Sequence, residues 1–170
     1  MQQEPKAPVI KFRIADVVLD GSSLTARSTD IEMERHKAVS DLLAENSFEL
    51  LSPVGTTGAY HLKLTLDTDR LHMRVHCRGT DTTEILSLPL TPLKKLIHDY
   101  VILCDNFYKT AREGQIHRLE AIDAGRRSIH DEAAELLAES LQNKVNLDKL
   151  TARRLFSLLY VLHMRGTDVM

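Results

Sequence analysis

The 170-residue chain has no tryptophan, and aromatic side chains make up only 5% of it. Proteins that bind single-stranded nucleic acid commonly stack bases on aromatic side chains, so this scarcity argues against that class. The formal net charge is −2, from 22 Lys and Arg against 24 Asp and Glu. A charge so close to zero gives no strong nucleic-acid signal, because nucleic-acid binders usually carry a clear excess of positive charge.

Cysteines and long apolar runs are also scarce. Cys77 and Cys104 match neither a CxxC redox pair nor a zinc knuckle, so we expect two reduced, buried thiols. The longest apolar run, residues 158–162, is far shorter than the roughly 20 residues of a membrane-spanning helix. Residues 1–8 lack the apolar core of a signal peptide. We therefore predict a cytoplasmic protein that does not engage a membrane.

Length and composition predict a single domain. Hydrophobic residues at 43% and charged residues at 27% are close to globular averages, so the chain can bury a core. We expect a disordered tail over residues 1–8, one domain over 9–163 and a flexible tail over 164–170.

Hydrophobic periodicity predicts strands in the first half of the chain and helices in the second. The expected strands cover 10–19, 48–51, 60–66, 71–78 and 84–88, and the expected helices cover 29–46, 91–114, 116–143 and 148–163. This order predicts an α+β fold. It would consist of an antiparallel β-meander of three to five strands, one helix inserted after the first strand, and three C-terminal helices packed on one face.

Helix starts have recognisable signals. Thr29 and Glu32 have the spacing of a capping box, in which two side chains bond otherwise free backbone amides. Thr91 precedes Pro92, which suits the first position of a helix because proline lacks an amide hydrogen. Asp148 is the expected cap of the last helix.

Four motifs occur in order along most of the chain: DIEMER at 30–35, DLLAENSF at 41–48, EAIDAGRR at 120–127 and TARRLF at 151–156. Together they resemble an uncharacterised, mostly alphaproteobacterial protein family of unknown function. The likeness runs from about Phe12 to His163 and implies no reaction, cofactor or catalytic residue. Similar proteins often carry proline at position 29, which leaves open whether Ser28 or Thr29 is the helix cap.

A hairpin around residues 67–70 is the clearest β signal, because alternating segments flank it on both sides. It pairs Leu66 with Leu71 and continues to Tyr60 opposite Cys77, which defines the core face. The other face carries a predicted basic surface, with Lys11 and Arg13 as further contributors. Its residues are His61, Lys63, His72, Arg74, His76 and Arg78.

The basic surface allows two interpretations. Antiparallel sheets commonly expose one polar face to water, which would need no function. Alternatively, it binds an acidic protein or phosphate, and Lys63 opposite Arg74 requires solvent screening or an acidic partner. His61 and His76 could reach one metal with His72 as a third ligand, but the neighbouring cations are unfavourable, so no metal is predicted.

Several arginines lie in unfavourable places. Arg35 and Arg126 fall within the apolar stripes of their helices, and arginine cannot lose its charge on burial. Arg153 and Arg154 lie near the start of the last helix, where the helix dipole disfavours cations. One interpretation is a structural network with the carboxylates of Glu32, Glu120 and Asp123. The other is a ligand-binding site formed by Arg35, Arg126, Arg127, Arg153 and Arg154.

Two function hypotheses follow. The favoured one is a small non-catalytic binding or adaptor module that engages a protein or an anionic small molecule. The other is an enzyme acting on a phosphorylated or carboxylated small molecule, in which His130 transfers a proton with Glu120 or Asp123. HExxH, GxSxG, P-loop and GxGxxG motifs are absent, so no catalytic residue and no cofactor are assigned. A homodimer is possible.

Overall fold

The computed structural model describes residues 12–20, 29–51 and 59–166. Strands and helices follow one another in the order expected for an α+β fold, which confirms that class. In chain order they are β1 (Arg13–Asp20), α1 (Thr29–Ala44), β2 (Phe48–Leu50), β3 (Ala59–Leu66), β4 (Arg70–Cys77), β5 (Thr82–Pro89), a 3₁₀ turn (Thr91–Leu93), α2 (Lys94–Arg112), α3 (Ile116–Leu141), β6 (Val145–Leu147) and α4 (Lys149–Gly166).

The main sheet has four strands in the order β1-β3-β4-β5. Strands β3, β4 and β5 form the predicted antiparallel meander. The prediction that the whole sheet is antiparallel was wrong, because β1 runs parallel to β3. Helix α1 lies between these two strands in the chain, and a helical crossover returns the chain to the end at which the first strand began. The sheet is therefore mixed.

The register of the central hairpin is the predicted one. Leu66 pairs with Leu71, Lys63 with Arg74, and Tyr60 with Cys77. Alternate residues of both strands are buried, as period-two alternation requires. The hairpin could be predicted in detail because a shift of one residue would turn its whole apolar face towards water.

A second, two-stranded sheet pairs β2 with β6. Residues 48–51 were predicted as an edge strand, but β6 was not predicted, and α3 ends at Leu141 rather than 143. A strand of three residues has too few positions to show a period. It forms because Phe48 and Leu50, both buried, offer a partner about a hundred residues earlier in the chain.

Helix α4 is the centre of the core. Phe156, Leu158, Leu159 and Val161 are completely buried, and their directions cover the whole circumference of the helix. The helix contacts α1, α3, β1 and β3. A helix that is apolar on all sides must be surrounded, as its sequence predicts.

Helix caps agree only in part with the predictions. Asp148 does cap α4, since its Oδ1 accepts the Thr151 N–H at 2.9 Å. Thr91 is not the cap of its helix. Thr91 and Pro92 lie in a 3₁₀ turn that Leu90 precedes, and Leu93 is the N-cap of α2. Neither leucine makes a side-chain capping hydrogen bond. Most of both predicted tails lies outside the described residues, which exclude 1–11 and 167–170. The side chain of Thr29 is not described either.

Two further expectations concern the cysteines and the membrane. Cys77 and Cys104 are both buried and form no disulfide. Across residues 12–20, 29–51 and 59–166, no helix is long and apolar enough to cross a membrane.

Asn46 closes the outer edge of β1. Its Oδ1 accepts the Ile14 N–H at 2.7 Å, and its Nδ2 donates to the carbonyl oxygens of Ile14 at 2.9 Å and Leu42 at 2.8 Å. One amide side chain thus replaces a neighbouring strand at Ile14 and also bonds the last turn of α1. Only Asn or Gln offers an acceptor and two donors together.

Replacing Asn46 with alanine removes these three hydrogen bonds and leaves a partly buried N–H and two carbonyls without partners. We expect Asn46→Ala to lower the free energy of unfolding by about 2–4 kcal/mol, since each unsatisfied buried group costs about 1–3 kcal/mol. Urea denaturation followed by circular dichroism measures this. The exposed Asn143 is the control, and equal losses in Asn143→Ala and Asn46→Ala would contradict the assigned role.

Candidate functional site

The helices enclose a cleft of about 340 Å³ to which α1, α2, α3 and α4 all contribute. An adjoining hollow of about 110 Å³ shares Tyr100, Arg126, His130 and Arg153 with it and adds Asp123 and Arg127. We refer to the two together as the arginine cleft. The larger part is lined by Glu34, Lys37, Ala38, Asp41, Tyr100, Arg126, His130, Leu150, Arg153, Arg154 and Ser157.

Helical spacing explains which side chains meet in the arginine cleft. Arg126 and His130 are one turn apart on α3, and Arg153 and Ser157 are one turn apart on α4, so each pair lies on one face of its helix. His130 Nε2 lies 2.7 Å from Ser157 Oγ, a hydrogen bond that joins the two faces. The α1 contribution has the same basis, because positions 34, 37, 38 and 41 follow the i, i+3, i+4, i+7 spacing of one helix face.

Arg126 lies deep in this cleft, with its side chain 15% exposed. Its nearest carboxylate oxygens are Glu34 Oε1 at 3.7 Å from Nη2 and Asp123 Oδ1 at 3.9 Å from Nη1. Both distances are too long for hydrogen bonds. The guanidinium carbon lies 4.5 Å from the ring centre of Phe107, a cation–π contact. The buried Nε has no hydrogen-bond partner among the described residues. The charge of Arg126 is therefore only partly compensated.

Glu34 is held on the wall of the cleft by Tyr108, whose hydroxyl donates to Glu34 Oε1. Burial and this hydrogen bond raise the pKa of Tyr108, so its hydroxyl keeps the proton that it donates. Sequence reasoning assigned no role to Glu34, because it considered the apolar arc that contains Arg35. The i, i+3, i+4, i+7 spacing of Lys37, Ala38 and Asp41 was the signal that could have found it.

His130 is buried against the rings of Tyr100 and Phe156, with ring centres 5.7 Å and 5.3 Å away. Burial, and secondly the positive charge of Arg153, lower the pKa of His130 to about 4. The imidazole is therefore neutral at neutral pH and serves Ser157 as a hydrogen-bond partner. Its Nδ1 is buried and accepts or donates no hydrogen bond within the described part of the chain.

The acid–base groups of the enzyme hypothesis are His130 with Asp123 or Glu120. His130 Nε2 bonds Ser157 Oγ, and Asp123 lines the smaller hollow together with His130. Asp123 faces Arg126 and Arg127, and Glu120 is exposed and does not line the cleft. The spacing of these residues along α3 does not decide which of them face a neighbouring helix, because that depends on packing.

Arg153 and Arg154 of α4 both line the larger part of the cleft. Arg153 Nη1 lies 3.2 Å from Asp131 Oδ1, a carboxylate that the predicted network did not include. Arg154 Nη1 donates to the backbone carbonyl of Glu45. Each arginine is thus anchored by one oxygen, which leaves further N–H donors on both guanidinium groups.

The remaining two arginine candidates differ. Arg127 lines the smaller hollow, with Nε 3.6 Å from Asp123 Oδ2, and is largely exposed. Arg35 does not line the cleft. It pairs with Glu32 on its own helix at 3.2 Å. The predicted ligand set is therefore brought together except for Arg35.

The outer sheet face is less basic than predicted, because aspartates lie beside its cations. Within that face and its turns, the pairs are His61 with Asp16 at 3.4 Å, Lys63 with Asp20 at 3.5 Å, His72 with Asp67 at 3.7 Å and His76 with Asp81 at 3.4 Å. Arg74 and Arg78 are exposed. Partner binding on this face stays a prediction.

The position of β1 beside β3 explains two of these four pairs, those of Asp16 and Asp20. It places Asp16 beside His61 in the sheet. Arg13, expected to add positive charge, donates instead to the carbonyl of Leu43 at 2.9 Å, and Lys11 lies outside the described residues. The His61 and His76 rings are 6.3 Å apart. No group of three side chains suited to holding a metal occurs in the described ranges.

Comparison with known proteins confirms the predicted resemblance. A sequence model described as "Uncharacterised protein family (UPF0262)" matches residues 11–165. The UPF0262 protein of Erythrobacter litoralis is 40% identical over 158 residues, which cover 92% of this chain and 99% of the relative. The UPF0262 protein of Brucella anthropi is 42% identical over 163 residues, which cover 94% of this chain and 99% of the relative. The UPF0262 protein of Granulibacter bethesdensis is 41% identical over 159 residues, which cover 90% of each chain. No solved structure is significantly similar. The chain belongs to the uncharacterised protein family UPF0262.

Proposed function

We propose that this protein is a cytoplasmic binding protein for a small molecule that carries a phosphate or carboxylate group, which it holds in the arginine cleft. One observation carries the proposal. Arg126, Arg153 and Arg154, from two helices, converge on one cleft. The most buried of them, Arg126, has no carboxylate of the described residues within hydrogen-bond distance.

The charge around the cleft favours an anion. The two hollows are lined by five cationic and three anionic side chains. A concave surface with walls of low dielectric strengthens the attraction for a ligand of the opposite sign. The cations are Lys37, Arg126, Arg127, Arg153 and Arg154, and the carboxylates are Glu34, Asp41 and Asp123.

The start of α4 adds to this field. Leu150 in the first turn lines the cleft, so the positive end of the helix dipole, which the Asp148 cap compensates in part, is close to the proposed ligand. The dipole repels the positive charges of Arg153 and Arg154. An anion bound between these arginines and the helix end would be attracted by the arginines and by the dipole, and would therefore relieve this repulsion.

The size of the cleft favours a small metabolite. Sites for small molecules typically have volumes of about 300–1,000 Å³, and the larger hollow, at about 340 Å³, lies at the lower end of that range. The guanidinium fork of arginine matches both phosphate and carboxylate, so the fork alone does not choose between them.

Binding, rather than acid–base catalysis, agrees with the state of His130. A general base works best when its pKa is near the operating pH. The pKa of about 4 makes protonation of His130 unfavourable at neutral pH. Its neutral ring provides a hydrogen-bonding group beside the arginines.

The first test measures anion binding by isothermal titration calorimetry, with inorganic phosphate, phenyl phosphate and citrate as probes and sodium chloride at matched ionic strength. We expect at least one probe to bind saturably. The double variant Arg153→Gln/Arg154→Gln should bind it about 10- to 100-fold more weakly, because charged hydrogen bonds contribute about 1.5–3 kcal/mol.

Arg35→Gln is the matched control. It removes one positive charge from α1 outside the cleft, by the same type of substitution, and should leave the dissociation constant unchanged. Saturable binding by none of the three probes, or equal weakening in Arg35→Gln, would contradict the proposal. Comparison of phenyl phosphate with citrate distinguishes phosphate from carboxylate recognition.

The second test concerns His130. Its pKa is lowered to about 4 in the folded state, against about 6.5 when unfolded, so the unfolded chain takes up the proton first as the pH falls. Stability should therefore decrease between about pH 6.5 and pH 4 and lose no more from this group below pH 4.

We expect the wild type to lose about 3 kcal/mol more than His130→Gln across this window, at about 1.4 kcal/mol per pKa unit. Urea denaturation in phosphate-free buffers measures the two profiles. Contributions from groups other than residue 130 are common to both proteins and cancel in the difference. Parallel profiles would show that His130 is not held neutral.

A further inference from the structure

Strand β5 forms one edge of the main sheet. Its backbone pairs with β4 from Thr82 to Pro89, and no backbone group elsewhere in the described ranges bonds to it. The turn before it and the turn after it are both described. An edge strand exposes a row of unpaired N–H and C=O groups, which is a template for another strand.

The opposite edge of the sheet, at β1, is treated differently. Asn46 bonds both the N–H and the carbonyl of Ile14, and the Phe48 N–H donates to the Phe12 carbonyl at 3.1 Å. These contacts occupy the beginning of the β1 edge, so a further strand cannot pair along its full length.

One side chain reaches this edge: Arg70 of β4 donates from Nη2 to the Ser87 carbonyl at 3.4 Å and from Nε to Ser87 Oγ at 2.7 Å. Apart from this contact at Ser87, β5 lacks the usual protection of an edge strand. Natural edges carry lysine, a central proline or a bulge, each of which hinders pairing with another chain. Between Thr82 and Leu88 the sole charged residue is Glu84, the register with β4 is continuous, and Pro89 comes only at the end. Ile85 projects from the outer face and is 67% exposed.

We propose that β5 pairs antiparallel with β5 of a second copy of this chain, which joins two four-stranded sheets into one sheet of eight strands. The register with Ile85 opposite its own counterpart places Thr83 opposite Ser87 and Glu84 opposite Leu86. No like charges then face each other, and the two exposed isoleucines cover one another. The strand is thus complementary to itself.

The difference between the β5 edge and the β1 edge favours a dimer with two-fold symmetry. Pairing of β5 with β5 uses the same surface on both copies, so one two-fold axis relates them and both exposed edges are satisfied at once. Pairing of β5 with β1 would continue from copy to copy, but the contacts of Asn46 and Phe48 occupy the beginning of the β1 edge and would shorten such a pairing. The structure therefore favours a dimer over a filament.

Sedimentation velocity at about 1 to 200 µM protein tests the proposal, a range suited to an interface of modest area. We expect the wild type to shift from monomer to dimer across this range. Ile85→Lys should weaken the dimer by about tenfold or more, because two lysines would then lie directly opposite each other. The exposure of Ile85 means that this variant should fold normally, which circular dichroism checks.

Val18→Lys is the matched control. Val18 is 50% exposed on the outer face of β1, at the other edge of the same sheet. The same substitution there should leave the dimer intact. A wild type that stays monomeric at the highest concentration would overturn the proposal. So would a dimer that survives Ile85→Lys or is equally weakened by Val18→Lys.

Discussion

The burial of α4 on all sides is the constraint on which the rest of this structure depends. Phe156, Leu158, Leu159 and Val161 leave the helix no face that tolerates water. α1, α3 and the main sheet must therefore pack around it. The charged residues Lys149, Arg153 and Arg154 lie towards its beginning, before the apolar stretch at 158–162. The same packing brings Arg153 and Arg154 next to the cleft-facing sides of α1 and α3.

The protein compensates its charges differently on its two sides. On the outer sheet face, four cationic or titratable side chains each lie within 3.4 to 3.7 Å of an aspartate. These pairs are solvent-exposed and contribute little to stability. In the arginine cleft, by contrast, Arg126 is more deeply buried, and its nearest carboxylate oxygens lie 3.7 and 3.9 Å away. The residual positive charge is thus concentrated where the surface is concave.

The hydrogen bond between His130 and Ser157 connects the wall of the arginine cleft to the hydrophobic core. His130 packs on Phe156, which is completely buried, and Ser157 follows Phe156 in the chain. A ligand bound to Arg153 would therefore lie one helical turn from a side chain anchored in the centre of the fold. The rigid helices α3 and α4, rather than mobile loops, position the groups of the site.

Much of the fold could be predicted where a period repeats. The hairpin register, the start of α4 at Asp148 and the surrounded position of α4 all follow from patterns that span several residues. β6 was missed because three residues carry no period, and the orientation of β1 was wrong because alternation is the same in parallel and antiparallel strands. The site was predicted in part. The apolar stripes singled out Arg35 and Arg126, and the helix dipole singled out Arg153 and Arg154. Of these four, all but Arg35 line the arginine cleft.

The amino-acid sequence by itself determined the class of the fold, the face that each long element buries, and the presence of arginines that require a partner. Only the tertiary structure decided which partners they have. Glu34, Asp131 and Ser157 lie on α1, α3 and α4, and the packing of these three helices decides which side chains meet. No local sequence pattern records such contacts. The difference is physical: periodicity is a property of one element, whereas a cleft arises between elements that are distant in the chain.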